Sequence, residues 1–129
     1  MNKEDKNLLY KDLCARLPYD VVCSVYEGSI DGMKWRNEPL CPHLLEEVAD
    51  EDAWEYIKPY LRPMSSMTEE EENQFSAFRT RVKAMVNYHD FAKECNNLIG
   101  WLLKHHFDYN GLIEKGLAIK VTEENNPYK

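Results

Sequence analysis

The 129-residue chain has no run of about 18 apolar residues, so it is not expected to cross a membrane as a helix. Its start, MNKEDKNLLYKDL, is charged and lacks an apolar core segment, which argues against a secretory signal. Cationic residues are outnumbered, 16 against 23 acidic, and the net charge is −7. That balance opposes direct binding to nucleic acid or to an anionic membrane, because both carry phosphate charge of the same sign. No Gly-x-Ser-x-Gly elbow, phosphate-binding loop or dinucleotide glycine pattern occurs. Cysteine is limited to Cys14, Cys23, Cys41 and Cys95, widely and irregularly spaced, with no Cys-x-x-Cys pair. Reduced, mostly buried thiols in a cytoplasmic protein are therefore expected, rather than a disulfide frame.

What is present suits an α+β protein. Length fits one domain over 1–129, with a mixed part to about 63, a helical part over 64–120 and a loose tail, NNPYK, within 121–129. Asn2 to Leu17 has Leu9, Leu13 and Leu17 on one stripe, flanked by Tyr10 and Cys14. Lys and Asp cover the rest, and Pro18 ends the helix. Asp20 to Glu27 alternates, with Val21, Cys23 and Val25 opposite Val22, Ser24 and Tyr26, which predicts a strand. GSIDG, residues 28–32, has turn chemistry, and MKWR predicts a returning strand of a small antiparallel sheet. Pro42 opens a short helix to about Ala49. Trp54 to Ile57 alternates weakly and is read as a strand. Pro59 and Pro63 then impose an extended, edge or loop path.

Thr68 with Glu71 three residues on predicts a capping box, with four glutamates at the positive end of the helix dipole. Phe75, Phe78, Val82 and Met85 follow at helical spacing. Tyr88, Phe91, Cys95, Leu98 and Leu102 resume it out of phase, so a break is expected near Asn87 to Asp90.

Two features invite functional readings. His105-His106-Phe107-Asp108 resembles a metal or acid/base cluster, and Cys41 with His43, or His89 with Cys95, could join it in space. Adjacent histidines diverge on most backbones, however, and no His-x-x-x-His pair exists. A structural corner accounts for more of the residues. Lys104, His105 and His106 are cations at a helix C-terminus. Asp108 caps a short helix over Tyr109 to Lys115, and Gly116 takes the left-handed C′ position, with Leu112 meeting Leu117. No metal or other cofactor is assigned. The second feature is the Pro-flanked loop, where Lys58, Tyr60, Arg62, Ser65 and Ser66 are the candidate contact residues for a partner protein. Arg62 offers a forked donor there, or alternatively pairs with a local glutamate.

Residues 46–72 hold ten carboxylates against Lys58 and Arg62. That segment either imitates a phosphate track, as an inhibitor of a nucleic-acid enzyme would, or forms a solvated face. Trp35, Trp54 and Trp101, with eight tyrosines, furnish either a ligand pocket or core.

KPYLRPMSSMTEEE (58–71) and HHFDYNGLIEKGLAI (105–119) cover about a quarter of the chain. They resemble a set of short proteins of gut anaerobic bacteria and their prophages or other mobile elements. LLYKDLCARLPYDVVCSVYE (8–27) is similar to the opening of the closer members. The resemblance implies β-strands in the N-terminal part, a variable helical stretch, and an accessory role in a host-cell cytoplasm. It implies no catalytic residue. The expected function is that of a non-enzymatic protein-interaction module, working near the Leu-Arg-Pro-Met-Ser loop, with self-association left open. The acidic inhibitor is the alternative, and a small metal protein or enzyme the third reading.

Overall fold

The computed structural model describes residues 3–29, 32–49 and 56–128. Among these are four α-helices and one four-stranded sheet, an α+β arrangement with a helical C-terminal half. α1 spans Lys3–Arg16 and runs into a 3-10 turn, Leu17–Tyr19, that begins as Pro18 withholds its N–H. β1 (Val22–Ser29) and β2 (Gly32–Pro39) form an antiparallel hairpin in register from Val22↔Pro39 to Ser29↔Gly32. The turn at 30–31 lies outside the described residues. α2 occupies Pro42–Ala49, with Pro42 in its first turn and Leu44 and Val48 turned inward.

β3, Ile57–Leu61, pairs antiparallel with β1 and parallel with β4, Ile119–Lys120, giving the order β2-β1-β3-β4. The expected edge path around Pro59 is therefore corrected: β3 is an inner strand. Proline is tolerated there because the two pairings are staggered. β1 covers positions 57–59 and β4 begins only at Tyr60, so no ladder bond on the β4 side calls for a Pro59 N–H. Of the strand expected at Trp54 to Ile57, residues 54–55 lie outside the described residues, and β3 begins at Ile57.

α3, Glu69–Ala84, starts on the expected capping box: Thr68 Oγ1 accepts from the Glu71 N–H and the Glu71 carboxylate accepts from the Thr68 N–H. α4, Tyr88–Lys104, is capped by Asn87, whose side chain accepts from the His89 N–H. The break falls at Met85 to Asn87, slightly ahead of its expected place.

The core lies between the sheet, α1 and α2. Leu9 and Leu13 of α1, Val21, Cys23 and Val25, Leu44 and Val48, and Ile57 and Leu61 are all buried, and Leu112 and Leu117 close it from the C-terminal side. Each such side chain contributes roughly 1.5–3 kcal/mol of transfer free energy. Two sequence expectations fail here. Asp12 does not cover a polar face: Asp12 and Arg16 are 1% and 0% exposed. Arg16 Nε lies 2.5 Å from Asp12 Oδ1, Arg16 Nη2 donates to the Phe107 carbonyl at 2.7 Å, and Asn110 Nδ2 donates to Asp12 Oδ2 at 2.8 Å. The thiols are free, but only Cys23 is buried; Cys14 is exposed, and Cys41 and Cys95 are half-buried. Burial pushes the Cys23 thiol up to about 12, so it remains protonated.

The corner forms with one change. Asp108 does not start a helix. Gly111 adopts φ +74°, which interrupts helical geometry, and residues 109–110 and 112–116 are turns on either side of it. The Asp108 carboxylate instead reaches further, accepting from the N–H groups of Leu112 and Ile113 at 2.9 and 3.0 Å. Gly116 takes φ +75°, the Gly116 N–H donates to Ile113 O, and the Leu117 N–H donates to Leu112 O. Those are the two bonds of a Schellman ending. The tail expected to be loose is also held: Tyr128 Oη donates to Tyr60 O at 2.7 Å and accepts from the Val22 N–H at 3.1 Å.

Gly116→Val should lower stability by more than about 1 kcal/mol, because a β-branched residue resists positive φ. A Cβ there meets nothing within 4 Å, so the cost is torsional; an unchanged melting temperature contradicts the assignment. Asp12→Ala leaves Arg16 buried and uncompensated and should cost about 3–5 kcal/mol by denaturant unfolding. A shift under about 1 kcal/mol shows that the pair is not closed in solution.

Candidate functional site

The Pro-flanked loop and the His-His-Phe-Asp corner meet. The Arg62 N–H donates to His106 O and the Asp108 N–H to Arg62 O, both at 2.8 Å, so 106–108 run parallel to Arg62 as a single bridge beyond the sheet. Arg62 then turns back on the loop. Its guanidinium pairs with both Glu71 oxygens, at 2.8 and 2.6 Å, donates more weakly to Ser66 O at 3.3 Å, and lies 4.2 Å over the Phe107 ring. Glu71 is the same residue that closes the capping box. The hydrogen bond from Arg62 holds its carboxyl down, to about 2 from an ordinary 4.5. Arg62 is thus the brace between loop, corner and the start of α3, the local pairing that the sequence left as an alternative.

His105 ends α4, with Nδ1 3.6 Å from Glu71 Oε2 and its ring 4.8 Å from that of Trp101. Burial lowers its pKa despite the pull of Glu71. His106 holds φ +63° as the left-handed residue of a second Schellman ending: the His106 N–H donates to Leu103 O, the Phe107 N–H to Leu102 O, and Leu102 and Phe107 are both buried. Its ring stacks on Tyr128, centroids 3.9 Å apart, and its Nδ1 is buried. Burial, then Arg16 and Arg62, bring its pKa down to about 4. The expected role of both histidines as cations at the helix end is therefore corrected. Burial favours the neutral form of both rings, which leaves Lys104 as the cation at that helix end.

A cleft of about 630 Å³ opens over this region, lined by Arg62, Ser66, Thr68, Lys104, His105 and His106 among others. A second, of about 510 Å³, lies on the far side of the loop, along Pro63, Met64, Ser65, Asp108 and Tyr109. The expected contact residues are thus divided. Arg62 and Ser66 line one cleft and Ser65 the other, while Lys58 and Tyr60 line neither. Lys58 instead lies 6.0 Å from the Trp35 ring. The Ser66 hydroxyl donates to Pro63 O at 2.7 Å and is engaged in shaping the loop.

No group of three or more His, Cys, Asp or Glu side chains stands together as a metal set among the described residues. Arg62 is paired with Glu71 and Arg16 with Asp12. The acidic segment is divided too: 50–55 lie outside the described residues, Glu69, Glu70 and Glu72 are exposed, and Glu71 faces inward. Of the tryptophans, the two among the described residues stand apart. Trp35 stacks on Tyr26 in the β-hairpin, Trp101 packs between Phe75, Phe78 and Phe107, and Trp54 lies outside the described residues.

The feature that sequence reasoning did not single out is the α3–α4 hairpin itself. Its root is fixed by Trp101 Nε1 donating to Gln74 Oε1 at 3.1 Å, and its middle by Arg81 paired with Glu94 at 2.8 Å. Yet α3 has no buried residue, and Phe75, Phe78, Val82 and Met85 are only half-covered by α4. Val86 and Tyr88 at the tip are 102% and 93% exposed, Phe91 is exposed one turn on, and Ile99 is exposed nearer the root of α4. The broken apolar period near Asn87 was the available signal. No helix among the described residues is long and apolar enough to cross a membrane. No protein-family model, curated protein or solved structure matches the chain.

The sign of the pH response follows from three depressed groups, of which His105 acts in the same direction as its neighbour His106. His106 contributes stability in full above its ordinary 6.5 and loses it as pH falls toward about 4. Glu71 contributes above its ordinary 4.5 and loses it as pH falls toward about 2. His106→Asn, which tolerates the left-handed backbone and cannot titrate, should flatten the fall of melting temperature between pH 6.5 and 4 and leave the fall below it. A slope identical to that of the parent protein shows that His106 is not the buried group.

Proposed function

We propose that the protein is a non-enzymatic protein-interaction module of the cytoplasm, acting through the α3–α4 hairpin. The observation that supports this most directly is the exposure of Val86 and Tyr88 at the hairpin tip, continuous with Phe91. Holding a tyrosine and a valine in water at the end of a helical hairpin gains a monomer nothing. Covering them contributes roughly 1.5–3 kcal/mol per fully buried side chain. Tyrosine is also among the residues that most often dominate an interface.

The Leu-Arg-Pro-Met-Ser loop fits better as the brace of this stem than as the contact surface, since its arginine is committed to Glu71 and Phe107. The net charge of −7 favours a protein partner over nucleic acid. An accessory role in the host of a mobile element agrees with the resemblance carried by residues 58–71 and 105–119.

The test is capture from host-cell lysate with the tagged full chain, with and without nuclease, read by mass spectrometry. Val86→Ser with Tyr88→Ala should leave stability within about 0.5 kcal/mol of the parent, because both sites are solvent-facing. It should also abolish a nuclease-resistant partner. A partner retained by that variant places the interaction elsewhere, and enrichment that vanishes with nuclease contradicts a protein partner.

A further inference from the structure

The charge pattern of α3 narrows what covers the hairpin. Beside the half-buried stripe of Phe75, Phe78 and Val82 runs a second one: Glu69, Glu72, Ser76, Arg79 and Lys83. The spacing of three, four, three and four residues puts all five on one side of the helix, and all five are exposed. Acid occupies the N-terminal end, a small hydroxyl the middle and base the C-terminal end. An acidic first turn and a basic last turn suit the helix dipole by themselves. The dipole does not require both signs on one stripe with a small residue at its centre. Antiparallel pairing of two such helices makes use of both signs.

When two copies of α3 are laid antiparallel with Ser76 facing Ser76, position 69 meets position 83 and position 72 falls level with 80, one residue from Arg79. Each acidic end then meets a basic end, and a two-fold axis repeats the match. Phe75 and Phe78 lie on either side of that axis, whereas Val82 comes level with Glu70 of the second copy, so the charges and not the apolar stripe set the register. A parallel pairing sets like charges against one another along the whole stripe. Arg81 is already engaged by Glu94 within the hairpin, so it fixes α3 on α4 without entering this pattern.

From the interaction reading of the hairpin, on which this step rests, we propose that the partner is a second copy of this chain. The two α3 helices pack antiparallel about a two-fold axis at Ser76, and the two hairpins close a four-helix bundle. Four helices around one seam bury what two leave half-open. Sixteen residues give a face only about 24 Å long, so the interface is small and the dimer is expected near micromolar strength rather than nanomolar.

The experiment is sedimentation equilibrium of the full chain from about 1 to about 300 µM, a range that brackets such an affinity. The parent should pass from monomer to dimer. Glu69→Lys with Glu72→Lys, and separately Arg79→Glu with Lys83→Glu, should each weaken the dimer about tenfold or more, since each variant sets like charges together at both ends. An equimolar mixture of the two variants should recover a heterodimer close to the parent in strength. That recovery cannot arise from misfolding, and circular dichroism of each variant alone reports the fold separately. A parent that stays monomeric overturns the proposal, as does a dimer that neither variant weakens or that mixing fails to restore. If the parent is monomeric while Val86→Ser with Tyr88→Ala loses a nuclease-resistant lysate partner, only the self-pairing fails. If the parent is monomeric and no partner depends on the tip, the interaction reading fails with it.

Discussion

The Asp12–Arg16 pair is the contact on which the arrangement of the chain depends. Two ionised groups removed from water carry a desolvation penalty of several kcal/mol each, which their mutual attraction offsets only with good geometry and further hydrogen bonds. Those bonds come from 91 residues away in the Phe107 carbonyl, and from Asn110. One guanidinium nitrogen, Nη1, is buried without a partner and adds to the cost. The pair is therefore better understood as a specifier than as a stabiliser: an alternative seating of the 106–110 corner strands a buried charge. From Phe107 the connection continues through Arg62 to Glu71, so polar contacts run from the end of α1 to the first turn of α3.

That connection divides the helical half into a fixed root and a free tip. At the root, Trp101, Phe107, Phe75 and Phe78 pack together, with Arg62 over the Phe107 ring. One turn further along α3, Arg81 pairs with Glu94 and lies over the Phe78 ring, and beyond it the seam is half-covered. Exposed ion pairs of this kind hold helices together by well under a kcal/mol at moderate salt. The root thus orients the tip, and the tip keeps its apolar residues available.

The parts of this that were legible in the sequence are those set by neighbours a few residues apart. Thr68 and Glu71 fix the start of α3, Pro42 opens α2, and Gly116 with Leu112 and Leu117 forms its cap even though the helix expected ahead of it is absent. Gly111 was the overlooked residue: its left-handed backbone is what turns a capped helix into a run of turns. The illegible parts are long-range pairings. Nothing local distinguishes Asp12 and Arg16 from the other charges of α1, because what buries them is the corner that arrives from the far end of the chain. Tyr128 looked like a tail residue for the same reason. Its hydroxyl bridges Val22 and Tyr60 across separations of 106 and 68 residues, and no spacing rule announces such a contact. His105 and His106 were misjudged as cations because burial sets their charge, and burial is a property of the assembled corner.

A helix of 16 residues with no buried side chain is marginal by the ordinary balance of nucleation against propagation. α3 is held by local devices: its capping box, the match of its charges to its dipole, and one seam with α4. Such devices contribute tenths of a kcal/mol to about 1 kcal/mol each, far less than a buried face. The hairpin is therefore the part of the domain whose order is most readily increased by covering it. Anything that binds the folded hairpin and not the open one adds its binding free energy to the stability of that segment. The half-buried stripe of α3 is thus no defect of packing. In a chain that elsewhere buries Leu9, Leu13, Ile57 and Leu61 almost completely, a half-covered stripe on a stem braced at its root is where stability and association become the same quantity.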